Sequence, residues 1–395
     1  MNRSRRSAII LFVVGVSLVL TGLVTLIASG HDSVALEPLQ EATPENTIPL
    51  PSTISGTVVA ESGPVAGAIV QMQGTTNKTQ TAKDGTFALS GLSGTTPTNV
   101  TAWSAGHYVG WVKLDPSAPD WKGGDNLTIT LRPLSTTDNP KYEWFSYQGT
   151  HGSAACGLCH QEYDEWKSDQ HSRAAINHHF LNVYMGTDAN GELGQEVQFN
   201  YDGKPLPIDP SKPYHGPGFR LDNPSRAGNC ASCHTPMAST ASNTQNCAWS
   251  GCHTSLTIER ANGIIERPAI PSDHMQGDAA EGISCEFCHK TVNVVIDPKT
   301  GLPFPDMPGI LSMELLRPKD DSQQVFFGTL VDVPRRDSYL PLLSQSQFCA
   351  GCHYGVAGGV VGMGDVKGGT VIYNSYGEWL DSPYSKPGTG KTCQQ

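Results

Sequence analysis

The sequence predicts a multidomain protein: an N-terminal transmembrane helix, then a small all-β sandwich, then a large, mainly α-helical and coil region with little sheet. Three observations support this prediction. An uncharged apolar run lies near the N-terminus, short β-rich runs between turn residues follow, and the remainder is rich in Gly, Pro, Ser and Asn with few apolar runs. The predicted parts are a membrane anchor or signal segment (1–30), a linker (31–52), the sandwich (53–134), a connector (135–150) and the large region (151–395).

The apolar run covers residues 8–28 and follows three Arg residues. A run of this length without charge is long enough to span a bilayer. The positive flank predicts that the N-terminus stays in the cytoplasm, so that the helix anchors the protein in the membrane. A cleaved signal peptide is the alternative, because residues 28–30 are small, as a cleavage site requires. Both alternatives place the rest of the chain in the periplasm or on the extracellular face.

The predicted sandwich is marked by short runs that alternate or stay apolar, separated by turn residues such as Asp84-Gly85. The runs are residues 54–59, 68–72, 87–89, 100–103 and 127–131. Their spacing favours a small antiparallel β-sandwich. Ser-Gly-Thr-Val at 55–58, Gly-Pro-Val-Ala-Gly-Ala at 63–68 and Lys-Asp-Gly-Thr-Phe at 83–87 resemble the carboxypeptidase regulatory-like domain. The resemblance implies a spacer or docking module without catalysis.

Four copies of a Cys-x-x-Cys-His motif organise the large region. Their members are Cys156, Cys159 and His160; Cys230, Cys233 and His234; Cys285, Cys288 and His289; and Cys349, Cys352 and His353. A looser fifth copy, with four residues between the thiols, holds Cys247, Cys252 and His253. Two thiols at this spacing can each add to a vinyl group of haem, and the histidine that follows then ligates the iron. The motifs therefore predict five haem c groups, which would also serve as the core of this region.

Zinc sites and disulfides are the alternatives, because both use paired cysteines. A histidine directly after every second cysteine favours haem, since neither alternative requires it. For the looser copy, the zinc-site alternative is stronger. Cys247 and Cys252 could join Cys230 and Cys233 in a site with four thiolate ligands.

Five haem irons need five further ligands if each iron has a second protein ligand besides its motif histidine. Six histidines outside the motifs are candidates: His151, His171, His178, His179, His215 and His274. A helix predicted over residues 161–185 would bring His171 and His178 to nearly the same face, because they are seven residues apart. Methionine ligation is the alternative for individual irons.

The stretch over residues 156–174, with Trp166 five residues before His171, resembles the start of multihaem cytochromes c. That superfamily holds the tetrahaem cytochrome of ammonia oxidisers, hydroxylamine oxidoreductase and octahaem tetrathionate reductase. Residues 282–285 and 348–353 extend the resemblance over most of the region from residue 150 onward. The resemblance implies that His171 ligates an iron from its distal side. The wide spacing between Cys247 and Cys252 departs from the family pattern.

The predicted function is that of an exported, membrane-tethered multihaem c-type cytochrome, which passes electrons along its haems between other redox proteins. No catalytic residue is predicted. A multihaem oxidoreductase with one open haem, acting on a small nitrogen or sulfur compound, is the first alternative, and a subunit of a conductive surface filament is the second. The net charge of −11 argues against a nucleic-acid partner.

Cys393 is the odd eleventh cysteine. Residues 376–385 repeat the pattern of residues 163–172, with Tyr384 in the place of His171. A segment of this kind leads into another attachment motif in related multihaem cytochromes. The pattern predicts that Cys393 opens a motif for a sixth haem in a longer protein. A free thiol or an intermolecular disulfide is the alternative.

Overall fold

The computed structural model describes residues 48–139, 142, 144–202, 204–216, 218–222, 230–234, 236, 281–357, 360–362, 365–367 and 370–395. The predicted span at residues 8–28 lies outside these residues. Within them, no helix has the length and apolar character needed to cross a membrane.

The first part of the described chain contains eight strands. They are β1 (Thr53–Ala60), β2 (Gly63–Pro64), β3 (Ile69–Met72), β4 (Lys78–Gln80), β5 (Thr86–Ser90), β6 (Thr98–Trp103), β7 (Gly110–Leu114) and β8 (Leu127–Thr130). In one four-stranded sheet, β1 pairs with β2 and β5 in antiparallel fashion and with β8 in parallel. The other sheet has the antiparallel order β4-β3-β6-β7.

One apolar core lies between these two sheets. It includes Ile54 and Val58 from one sheet and Val70, Val100 and Leu114 from the other, all fully buried. Burying one such side chain stabilises the fold by about 1.5–3 kcal/mol. The period-two pattern of a strand with one face on a core explains why alternate residues point inward.

The remainder contains short helices. They are α1 (Ser153–Gly157), α2 (Glu162–Ser168), α3 (His178–Met185), α4 (Phe219–Asp222), α5 (Ala231–His234), α6 (Cys285–Lys290), α7 (Gln347–Ala350) and α8 (Ser375–Asp381). Helices this short are not stable alone in water, so their conformation depends on the packing around them.

The described residues of this same part also form ten short strands. They are β9 (Ser146–Tyr147), β10 (Thr150–His151), β11 (Thr291–Val294), β12 (Met313–Leu315), β13 (Phe326–Gly328), β14 (Asp337–Tyr339), β15 (Gly355–Ala357), β16 (Val360–Gly362), β17 (Asp365–Lys367) and β18 (Thr370–Tyr373). Each pairs with one partner, and the β13–β14 pair is parallel. The prediction of a mainly helical and coil region with little sheet is therefore wrong. Its β-branched and aromatic residues form two-stranded sheets between the helices.

The single helix predicted over residues 161–185 is also wrong, because α2 and α3 are separate. Asp169 ends α2 in an extended conformation. The side chain of Asn177 then caps α3 by accepting a hydrogen bond from the Phe180 backbone N–H at 3.0 Å. His171 lies between the two helices, so it does not share a helical face with His178.

Candidate haem-binding site

Each motif that the structure describes lies on about one turn of helix. The backbone N–H of His160, His234 and His353 donates to the carbonyl of the first cysteine of its own motif at 2.9, 3.1 and 3.0 Å. In chain order the fourth motif, with Cys285, Cys288 and His289, forms most of α6. Residues three and four apart share one face of a helix, so the two thiols and the imidazole of a motif all face the same side. That is the arrangement needed to hold one haem.

Thiols of different motifs lie side by side. Cys156 is hydrogen-bonded to Cys285, and Cys233 to Cys352. Hydrogen bonding from the Cys156 thiol lowers the pKa of Cys285 to about 6. No described cysteine forms a disulfide. The contacts indicate that the attachment points of neighbouring motifs are close together.

Two motif histidines are held through Nδ1. His234 bonds the carbonyl oxygen of Ala174 at 2.8 Å, and His289 bonds that of Phe327 at 2.5 Å. A carbonyl can only accept, so Nδ1 carries the proton and Nε2 is the nitrogen that could ligate a metal. Burial lowers the pKa of both imidazoles, which favours the neutral form that ligates metals.

His171 lies beside the histidine of the last motif. The ring centroids of His171 and His353 are 6.0 Å apart, and the rings are inclined by 70°. The Asp169 carboxylate bonds Nδ1 of His171 at 2.6 Å and accepts from its backbone N–H at 2.8 Å. The Nε2 atom of His171 is therefore also the one left for a metal.

One distance in the structure is compatible with a haem on the last motif. Two imidazoles that ligate one metal ion from opposite sides, at metal–nitrogen distances of about 2 Å, have ring centroids about 6 Å apart. The His171–His353 separation of 6.0 Å matches this spacing. The described residues contain no group of three His, Cys, Asp or Glu side chains that could hold a metal ion. A haem iron needs only two protein ligands, because the porphyrin supplies the others.

The remaining predicted ligands lie elsewhere in the described chain or outside the described residues. His160, His178, His179 and His215 are exposed, and the imidazole of His160 lies 3.9 Å from the Glu162 carboxylate. His151 lies in β10. Cys247, Cys252, His253 and His274 lie outside the described residues.

Cys159 and Cys393 are exposed, and Cys393 is hydrogen-bonded to Cys349. Its backbone N–H donates to the hydroxyl oxygen of Ser346 at 2.9 Å. Cys393 therefore lies beside the last described motif, and its assignment to a sixth motif stays a prediction.

Several residues of the site were not predicted from the sequence. Asp169 precedes His171 by two residues, a spacing at which Asp commonly bonds nearby backbone N–H groups, so the Asp-x-His pattern could have identified it. The carbonyls of Ala174 and Phe327 had no such signal, because a backbone acceptor has no side-chain identity. Only the fold brings them to the imidazoles.

No family model and no curated protein matches this chain. Solved structures similar to part of it include a type II cohesin–X-dockerin complex from Acetivibrio cellulolyticus, at 16% identity over 21% of this chain and 59% of that one, with a TM-score of 0.18. The C-terminal domain of the Caf1A usher is 14% identical over 20% of this chain and 97% of its own, with a TM-score of 0.16. The chain thus spans less than two thirds of the first structure. TM-scores this low do not indicate a shared fold.

Proposed function

We propose that this protein is an exported multihaem c-type cytochrome that passes electrons between other redox proteins. The observation that supports this most is the pairing of His171 with His353, 6.0 Å apart, beside the attachment thiols of the last motif. Export belongs to the proposal because covalent haem attachment is carried out in oxidising compartments outside the cytoplasm.

In the proposed mechanism the motif cysteines would hold each haem, and the motif histidines would be its protein ligands through Nε2. The bound haem supplies a one-electron redox couple. The carbonyls of Ala174 and Phe327 orient His234 and His289, and burial keeps both imidazoles neutral. Asp169 does the same orienting work for His171.

A haem on the last motif would have both His171 and His353 as protein ligands, which would leave no protein-free position for a substrate. This favours a carrier over an enzyme at that motif. The contacts of Cys156 with Cys285 and of Cys233 with Cys352 support short distances between haems, which electron transfer along a chain requires.

The test is to produce the full chain in a host that attaches c-type haem and to count haem, iron and zinc per chain. We expect about five haems and five irons and no bound zinc. A matched variant, Cys349→Ser with Cys352→Ser, should lose one haem. Stoichiometric zinc without haem would overturn the proposal. A stoichiometric high-spin ferric signal that responds to nitrite or hydroxylamine would favour the oxidoreductase.

A further inference from the structure

The β-sandwich is hydrogen-bonded to the segment over residues 322–339. The hydroxyl of Tyr108 donates to the carbonyl oxygen of Gln323 at 2.6 Å, and the backbone N–H of Val109 donates to that of Asp337 at 3.0 Å. Trp103 donates through its indole N–H to the Ser338 hydroxyl oxygen at 3.1 Å. Backbone atoms on both sides take part, so the contact fixes the position of the main chain.

An apolar cluster lies at the same contact. Tyr108 from the sandwich packs with Val325 and Phe327, and all three side chains are at most 4% exposed. The guanidinium of Arg132 covers the outer face of the Tyr108 ring, 3.7 Å from its centroid. Leu134 and Leu340 pack around the cluster. A buried cluster of this kind has interior packing density, so a change on one side displaces the other.

The backbone of Phe327 also belongs to the haem-binding site. Its side chain packs against the sandwich, while its carbonyl oxygen accepts the hydrogen bond from Nδ1 of His289. Lys290, the next residue after His289, is fully buried and donates to the Val325 carbonyl and the Gln324 side chain. The strand β13 thus lies between the sandwich and the fourth motif.

We propose that the sandwich positions His289 through β13, with Tyr108 as the positioning residue. The sequence resemblance implied a spacer or docking module, whereas this contact assigns the sandwich a role in tuning one haem. The inference rests on the proposed function, because His289 must ligate an iron. A hydrogen bond to Nδ1 makes an imidazole a stronger donor to a metal, which stabilises the oxidised iron. Loss of the bond should therefore raise the reduction potential of that haem.

The experiment is a spectroelectrochemical titration of the haem-loaded full chain and of its Tyr108→Ala variant. We expect an unchanged haem count and one redox component whose reduction becomes about tenfold more favourable, a shift of about 59 mV for one electron. Tyr108→Phe keeps the ring in the apolar cluster but loses the hydrogen bond to Gln323, so its shift should be smaller than that of Tyr108→Ala. Trp111→Ala, an exposed aromatic residue on β7, is the matched control and should leave the curve unchanged.

Two further variants test whether the shift in potential belongs to the haem attached through Cys285 and Cys288. Removing the fourth haem with Cys285→Ser and Cys288→Ser should abolish the response to Tyr108→Ala, because coupled residues are not additive. If the Tyr108→Ala variant does not fold, Tyr108→Leu replaces it in the same titration. Full haem content with an unchanged curve, or an equal shift of every haem, would overturn the inference. A chain without haem would overturn the proposed function as well, and the haem count separates the two failures.

Discussion

His171 combines a local and a long-range interaction. Asp169 holds its ring through Nδ1, and the fold brings that ring next to His353. The side chain of His171 is half-exposed, so a structural role in a core does not account for its position. An exposed imidazole held in one orientation beside a motif histidine is arranged as a ligand would be.

The His171→Ala variant should retain every haem, because attachment uses only the motif cysteines. One low-spin iron should become high-spin, since His353 alone would ligate it. Electron paramagnetic resonance and the optical spectrum of the ferric protein measure this change. His107→Ala, which removes a partly buried histidine of the sandwich, is the control and should leave both spectra as they are. An unchanged spectrum in the His171 variant would refute the pairing.

At the scale of residues, the sequence predicted which cysteines and histidines belong to attachment motifs, because haem attachment requires a fixed spacing. It predicted His171 as a second ligand but not which motif histidine His171 lies beside, nor which groups hold the motif histidines in place. The bond from His289 to the Phe327 carbonyl joins residues from separate elements, and no side-chain pattern encodes a backbone acceptor. The pairing of His171 with His353 likewise depends on tertiary structure.

At the scale of elements, prediction succeeded where one face of a strand lies on an apolar core. The strand β5 shows the period-two pattern over all five of its residues, and β1 buries Ile54 and Val58 on the same face. The strands β11–β18 are three or four residues long, too short for that pattern to be visible. The helix over 161–185 was wrong for a related reason: its apolar spacing continues across the turn at Asp169, which ends α2.

A glycine in β1 tests the packing of the sandwich. A Cβ atom at Gly56 would overlap the backbone carbonyl of Leu127 in the paired strand β8. Backbone cannot move aside as a flexible side chain can, so Gly56→Ala should destabilise the sandwich by about 1–3 kcal/mol. Thermal unfolding followed by circular dichroism measures the loss. Gly328→Ala is the control, because the nearest atom to its Cβ is 4.0 Å away. Equal melting temperatures would show that the strands are not so close.

At the scale of the whole molecule, the predicted boundary at residue 134 separated two parts that the structure joins. Both belong to one unit, Pro49–Gln395, and share the cluster of Tyr108, Val325 and Phe327. The sequence marked the change of composition at this boundary. The sequence contained no indication of the contact across this boundary, because each contacting residue alone resembles an ordinary core residue.

Under the proposed function, the charge of the chain after residue 30 provides a test of how it would meet redox partners. Residues 1–30 hold three Arg and no acidic residue, so the rest of the chain has 37 acidic and 23 basic residues and a net charge of −14. The propionates of bound haem would make it more negative. A field of this sign attracts cations and repels anions over a Debye length, which falls from about 30 Å at 0.01 M salt to about 8 Å at 0.15 M.

As the salt concentration rises over this range, reduction of the haem-loaded chain by a cationic metal complex should therefore slow severalfold. Reduction by an anionic complex should accelerate. Stopped-flow absorbance of the haem bands measures both rates, with a neutral mediator as the control. The opposite salt dependence would mean that the electron-entry surface is basic despite the overall charge. The physiological donor would then be an acidic protein instead of the basic one that the charge of −14 favours.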